Sequence, residues 1–355
     1  MSLTMLGMLL ASPVALAEEG PLPAIEPTLL VQTTATLMDQ DNKGIADPGG
    51  YGDPEDDLGF KLSRVRVGFQ GKNEQVKYGV TVGLSSPYDT VAEAQGANMD
   101  IQLVDAYGGY SPIEQIWVVG GLQKVPVSRE QLIASHQLSL NERSVPTEWL
   151  TPSRDLGVVV DSRWEFLRFR LGVFNGSGDL RGDDNKGKLI AGRVEGKLGK
   201  ANAYKTYGEV SELLVGVGAD GWMNSQTSVK SSGFGADVIV RFKGLAVLAE
   251  ARIAEAKPKE GLIDVPGVFE ETKRQGMMVQ AGYTIGSLEP AVRFSTFDDD
   301  KSVEDVGDVM EGMAGMTWHG GKDQVRAGLG YVARLERGPS KVENDSIRAW
   351  FQLKL

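Results

Sequence analysis

The chemistry open to this 355-residue chain is narrow, because it holds two histidines, His136 and His319, and no cysteine. A disulfide scaffold, a thiolate metal site and a cysteine nucleophile are therefore excluded. A serine–histidine pair would have only two candidate bases, and neither stands in a Gly-x-Ser-x-Gly or His-Glu-x-x-His context. Carboxylates are plentiful, but they crowd into loop runs such as Asp298, Asp299 and Asp300, which cannot fix a catalytic spacing. The stretch Asp39-Gln40-Asp41-Asn42-Lys43-Gly44 opens like a calcium loop, yet Lys43 occupies a ligand position and no Glu closes it. The expectation is a chain without enzymatic activity, metal site or cofactor.

Arginine offers more. Arg64 and Arg66, then Arg168 and Arg170, sit two residues apart, and Arg193, Arg241, Arg252, Arg293, Arg326 and Arg348 recur singly among apolar residues. A guanidinium donates two parallel hydrogen bonds to an oxyanion, so a row of them on one face can bind or guide anions. Each could equally be held in an ion pair with Asp105, Asp161, Glu195, Asp237, Glu250 or Glu289, and both readings stand for every arginine. A net charge of −11 excludes a nucleic-acid partner, which needs a basic surface to neutralise phosphates.

The elements that carry these arginines alternate with period two. Leu167, Phe169, Leu171 and Val173 oppose Arg168 and Arg170, while Leu245, Val247, Ala249, Ala251 and Ile253 oppose Glu250 and Arg252. Sixteen such segments are predicted: 28–38, 59–70, 76–84, 100–110, 115–125, 155–162, 164–174, 188–198, 211–221, 233–242, 244–254, 275–285, 288–298, 309–318, 322–334 and 345–355. Long and short connections alternate between them, and only 199–210 is longer than that rhythm predicts. An even strand count with long loops at one end and tight turns at the other is the pattern of an all-β, transmembrane, antiparallel up-and-down β-barrel. Ten residues at roughly 3.4 Å, tilted about 45°, cover about 24 Å, close to the apolar band of an outer membrane. Lipid offers no partner to a bare strand edge, so the sheet must close. A secreted β-sandwich would have to absorb all sixteen strands, more than packed sheets usually hold.

Residues 1–17 read as a signal peptide: they carry no charge, hold an apolar stretch and end Ala15-Leu16-Ala17. The organisation expected is then 1–17 signal peptide, 18–27 an N-terminal periplasmic segment, and 28–355 the barrel. With the apolar face in lipid, the inward register places Arg64, Arg66, Arg168, Arg170 and Arg293 along the lumen. A basic lining in a low-dielectric wall concentrates anions. The acidic loops pull the other way, since Asp39, Asp41, Asp47, Asp53 and their neighbours, or Asp298 to Asp308, would repel anions near a mouth. On an outer surface they would bind divalent cations that bridge lipopolysaccharide, or stay solvated. Anion and cation preference both stay open on charge alone.

The run Leu103-Val104-Asp105-Ala106-Tyr107 is followed by Gly121-Leu122-Gln123-Lys124-Val125-Pro126-Val127-Ser128-Arg129-Glu130-Gln131-Leu132. Then come Asn141-Glu142-Arg143-Ser144, Arg154-Asp155-Leu156-Gly157-Val158 and Gly172-Val173-Phe174-Asn175-Gly176. As a set in this order they resemble the phosphate-selective porins of the O and P type in Gram-negative outer membranes. The resemblance implies a sixteen-stranded barrel, a homotrimer, and a third long loop, here 126–154, folded inward as the constriction. It would set Arg129, Ser135, His136, Arg143 and Arg154 near the narrowest part, with Arg64 and Arg66 matching the family's inward arginines. It also implies small inorganic anions, phosphate among them, as permeants. Outer-membrane lipid, lipopolysaccharide and the barrel-assembly machinery would be its surroundings and partners. Where the family often has paired serines in that loop, this chain reads Ile133-Ala134-Ser135, and its outer loops are acidic. A general or carbohydrate-type porin without phosphate selectivity, or a plugged structural or adhesive barrel, are the alternatives.

Overall fold

A computed structural model describes residues 23–39, 59–85, 100–178, 187–259, 271–304, 307–336 and 345–355. The expected signal peptide, residues 18–22 of the 18–27 stretch and the acidic run at 40–58 lie outside the described residues. Sixteen strands close into one antiparallel barrel, each paired with its neighbours in sequence and the first with the last. They are β1 (Glu26–Asp39), β2 (Gly59–Lys72), β3 (Val76–Ser85), β4 (Asp100–Ile113), β5 (Ile116–Lys124), β6 (Arg154–Arg163), β7 (Leu167–Phe174) and β8 (Leu189–Leu198). The second half comprises β9 (Val210–Ser225), β10 (Val229–Lys243), β11 (Leu245–Pro258), β12 (Thr272–Tyr283), β13 (Leu288–Asp298), β14 (Val309–Gly320), β15 (Val325–Glu336) and β16 (Ser346–Lys354). The pairing of Thr33 with Phe351 and Gln32 with Gln352 closes the ring, so no edge faces lipid.

Alternation sets the two faces. In β7 the apolar side chains Leu167, Phe169, Leu171 and Val173 are exposed on the outside, while Arg168 and Arg170 turn inward and are half-buried. β13 alternates without exception from Leu288 to Phe294, with Glu289, Ala291 and Arg293 buried inside. Expected and observed strands agree in number and order. Their ends shift where turn chemistry intervenes. The strand expected from 164 starts at Leu167, because the Trp164 N–H donates to the Leu167 carbonyl at 2.8 Å and tightens the turn. β15 starts at Val325 rather than 322, because Lys322 and Asp323 adopt positive φ of 56° and 71° in a single 3₁₀ turn.

The inner face is not uniformly polar. Phe174, Leu189, Leu214, Ile239, Leu248, Met278, Phe297, Met313, Val332 and Trp350 all point inward and are buried. They are covered by chain that enters the barrel. Trp350 lies flat on a floor of glycines. A Cβ at Gly328 would stand 2.1 Å from its ring, so only glycine permits that approach.

Substituting Leu171→Arg on the lipid face should destabilise the barrel by about 2–4 kcal/mol if the residue lies near the bilayer midplane. Denaturant titration of protein refolded into lipid vesicles measures this. A neutral result would place β7 elsewhere than in the membrane.

Candidate functional site

Residues 125–153, between β5 and β6, run across the interior. They contain α1 (Arg129–Leu132), a 3₁₀ turn at Ser135–Gln137 and α2 (Val145–Leu150). At the start of α1 Ser128 holds a positive φ of 52°, a strained state fixed from three sides. Its N–H donates to Asp220 at 2.9 Å, its hydroxyl donates to Glu250 at 2.7 Å, and the same oxygen caps the Gln131 N–H at 3.0 Å. Further along, the Gln32 amide donates to Asn141 at 2.9 Å and Arg293 donates to the Glu142 carbonyl at 2.7 Å. Arg326 donates to the carbonyls of His136, Leu138 and Ser139 at 3.1, 2.8 and 3.1 Å. Ile133 and Leu138 sink into the cluster of Leu214, Ile239, Leu248 and Met278, while Leu140 packs on Trp350. The segment thus reaches the wall from β9 round to β1.

A second segment enters from the opposite end. Residues 199–209, the connection that was too long for the strand rhythm, fold back inside the barrel between β8 and β9. The Ser139 N–H donates to the Thr206 hydroxyl at 2.7 Å, and the Tyr207 hydroxyl donates to the His136 carbonyl at 3.1 Å. Arg241 holds the turn through the carbonyls of Asn202, Tyr207 and Gly208 at 2.9, 2.6 and 3.0 Å. Lys205 pairs with Asp323 at 2.7 Å. His319 lies on β14 and faces this segment. It contacts Glu289 at 2.8 Å and Asp323 at 3.1 Å and packs against the Tyr207 ring.

The two inserted segments fill the side of the lumen under β8 to β16 and leave a passage along β1 to β7. One cavity of about 450 Å³ lies there towards the short-turn end. Another, of about 640 Å³, lies towards the long loops and is bounded also by Leu189, Trp222, Asn224 and Ser231 of β8 to β10. Arg66 and Arg154 line both, so they mark where the two meet. Arg154 is bidentate to Asp105 at 2.9 and 3.2 Å. Among the described residues Arg66 has no carboxylate or hydrogen-bond partner.

The lower cavity is lined by eight cationic side chains, Arg66, Lys77, Lys124, Arg154, Arg163, Arg168, Arg170 and Lys354, against two acidic ones, Asp105 and Asp161. Asp161 is shared between Arg163 at 2.6 Å and Arg168 at 2.7 Å. Arg170 pairs with Glu195 and with the Tyr204 hydroxyl. Lys124 donates to the carbonyls of Gln131, Leu132 and Ile133 at 2.7, 3.2 and 2.9 Å, so it caps α1 from the wall. Opposite it, burial and the charges of Lys354 and Arg326 push the His136 imidazole down to about 3, which keeps it neutral at physiological pH.

Of the nine residues expected at the site, Arg66, Arg154, Arg168 and Arg170 face the passage. Arg64 stands just behind it, donating to Gln32 at 3.3 Å and to the Asn141 carbonyl at 3.4 Å. The structure places the other four away from the two cavities. Arg129 is 1% exposed and is taken by Asp237 at 2.6 Å and Glu195 at 3.7 Å. Arg293 is buried against Glu311 at 3.0 Å and the Glu142 carbonyl. Arg143 donates back to the carbonyls of Glu130, Gln131 and Ile133 and so braces α1. Ser135 is buried behind the segment. Lys124 and Lys354 escaped the sequence reading. Lys124 directly abuts the inserted loop and Lys354 falls on the inward register of β16, and those positions are the signal that would have found them.

Residues 37–213 match the family described as phosphate-selective porin O and P. The chain belongs to this family. No curated protein matches it by sequence. Solved structures share its fold across nearly the whole chain. OmpT of Vibrio cholerae in its trimer form is 10% identical with a TM-score of 0.61, covering 94% of this chain and 100% of its own. The anion-selective porin from Comamonas acidovorans is 12% identical with a TM-score of 0.59, covering 94% and 99%. The channel DcaP of Acinetobacter baumannii is 12% identical at 0.57, covering 93% and 97%. The protein is accordingly a porin of a Gram-negative outer membrane.

Two outcomes test how the porin holds its inserted segments. Arg326→Ala removes a donor from three carbonyls; those of His136 and Ser139 keep the Tyr207 and Thr317 hydroxyls, and the Leu138 carbonyl left unpaired should cost about 1–3 kcal/mol. The loosened segment should give larger and noisier single-channel currents from a barrel that still folds. The Glu142 carboxylate is desolvated, yet Arg348, Arg64, Lys61 and Arg293 hold it below the ordinary carboxylate range. Its contribution is therefore complete above the unfolded value of about 4.3 and is lost as pH falls through the lower folded value. Current noise should rise at acid pH in the wild type, and Glu142→Gln should show that noise already at pH 7.

Proposed function

We propose that this porin is anion-selective and passes small anions, phosphate among them, along the cationic wall of β1 to β7. The observation that carries the reading is the imbalance of eight cationic against two acidic side chains in the lower cavity. Arg66, Lys77 and Lys354 strengthen it, since none has a carboxylate or hydrogen-bond partner among the described residues. A charge of one sign in a narrow, low-dielectric passage raises the local concentration of its counter-ion and lowers the barrier to entry. Arg66 and Arg154, where the two cavities meet, are the guanidinium groups an anion meets between them. Arg170 and Arg168 then follow down the wall. Arg154 and Arg168 are neutralised in part by Asp105 and Asp161, which keeps binding weak enough for release.

The porin is further proposed to assemble as a homotrimer in outer-membrane lipid, with lipopolysaccharide around its long loops. The barrel-assembly machinery would insert it there. Catalysis has no part in this reading.

Purified porin in planar bilayers under a tenfold potassium chloride gradient tests the selectivity. The reversal potential should lie towards that of chloride. Arg66→Ala should reduce the chloride-over-potassium permeability ratio about three- to tenfold, the effect of losing roughly 1 kcal/mol of interaction with a passing ion. A wild-type reversal potential at zero, or on the potassium side, rejects the reading.

A further inference from the structure

The two walls of the lower cavity differ in kind. The barrel wall supplies the charge. The facing wall is residues 131–136 of the inserted segment, where neighbours in sequence point opposite ways: Gln131, Ile133 and Ser135 are buried behind, and Leu132, Ala134 and His136 line the cavity. What this wall offers a passing solute is therefore an isobutyl group, a methyl group and a neutral imidazole. Part of its main chain is already engaged. The N–H groups of Leu132, Ile133 and Gln137 are taken by the carbonyls of Ser128, Arg129 and Ala134. The carbonyls of Gln131, Leu132 and Ile133 are turned to Lys124.

A tetrahedral phosphate carries oxygens on every side. Pressed between these walls it meets guanidinium and ammonium donors on one side and, beside the single ring N–H of His136, the alkyl groups of Leu132 and Ala134 on the other, where its oxygens lose water without replacement. A carboxylate on an aromatic or branched alkyl body has the opposite profile. Its charged end turns to the arginines while its body covers Leu132 and Ala134, removing apolar surface from water. We infer that the passage favours singly charged organic anions with an apolar body over inorganic phosphate, the selection being made by Leu132 and Ala134 against the cationic wall. This rests on the anion-selective reading above and narrows it to a class of permeant.

Bi-ionic reversal potentials of the full porin in planar bilayers test it, with sodium benzoate, acetate or phosphate opposed to sodium chloride. Measurement at pH 6, where phosphate is largely monovalent, removes the difference in charge. Benzoate should be roughly three- to tenfold more permeant than phosphate, and ahead of acetate despite its larger size. Ala134→Ser, and Ala134→Ser combined with Leu132→Ser, should lower the benzoate-to-phosphate ratio stepwise. The single variant alone carries the test if the double one fails to fold. A wild type that prefers chloride to potassium yet passes phosphate as well as benzoate overturns this inference and leaves the anion reading standing. A wild type without chloride preference overturns both.

Discussion

Arg241, Arg293 and Arg326 each donate to main-chain carbonyls of a segment inside the barrel, and the position of the passage follows from those bonds. A buried carbonyl without a donor costs free energy comparable to a lost hydrogen bond. An arginine on a strand, with its long stem and fork of donors, can satisfy two or three such groups at a distance from its own backbone. Inserted chain therefore lies where inward arginines can reach its carbonyls, on the β8 to β16 side. The open lumen is what remains along β1 to β7.

The same residue type serves two electrostatic ends, and the difference lies in how many carboxylates accompany it. Behind the inserted loop, Arg129, Arg193 and Arg252 interlock with Glu195, Asp220, Asp237 and Glu250, with Arg193 contacting Glu195, Asp220 and Asp237 at 2.6–2.8 Å. Positive and negative charge nearly cancel there, so the cluster fixes structure and projects little field. Breaking such a group by removing one member is costly, because the partner left behind is a buried, uncompensated charge. On the passage side the carboxylates are too few to cancel, and the field persists.

That division explains what could be read in advance. Strand number, order and facing were legible, because lipid on one side and a lumen on the other impose a period of two that few other settings demand. Arg66, Arg154, Arg168 and Arg170 were legible as inward residues. Arg129 and Arg293 look the same in sequence, since nothing local tells a guanidinium facing water from one facing a carbonyl. The missing information lay in the apolar residues on the inner register. Leu248 interrupts a polar face between Ala246 and Glu250, and Trp350 sits between Arg348 and Gln352. An apolar side chain pointing into a lumen requires a cover, and the length of 199–210 together with Ile133, Leu138 and Leu140 supplied it. Pairing cover with covered needs the third dimension, because partners such as Leu140 and Trp350 lie 210 positions apart.

The chain's charge of −11 and its cationic passage are compatible once distance and dielectric are weighed separately. Among the described residues of the β13–β14 connection, Asp300 accepts from the Ser302 N–H at 3.1 Å and from its hydroxyl at 2.8 Å, and Asp298 accepts from Gln275 at 3.2 Å. These carboxylates have local donors at the rim, where salt in the adjoining solvent screens charge over about 8 Å. Arg66 and Lys77 stand between protein walls, where screening is weaker and an ion cannot pass at a greater distance. The rim charge acts on the concentration of ions outside. The lumen charge acts on the barrier each ion must cross, and in a narrow passage that barrier decides which ions go through. Net charge over a whole porin is for that reason a poor guide to its selectivity, and the sign of the few side chains lacking a local partner is a better one.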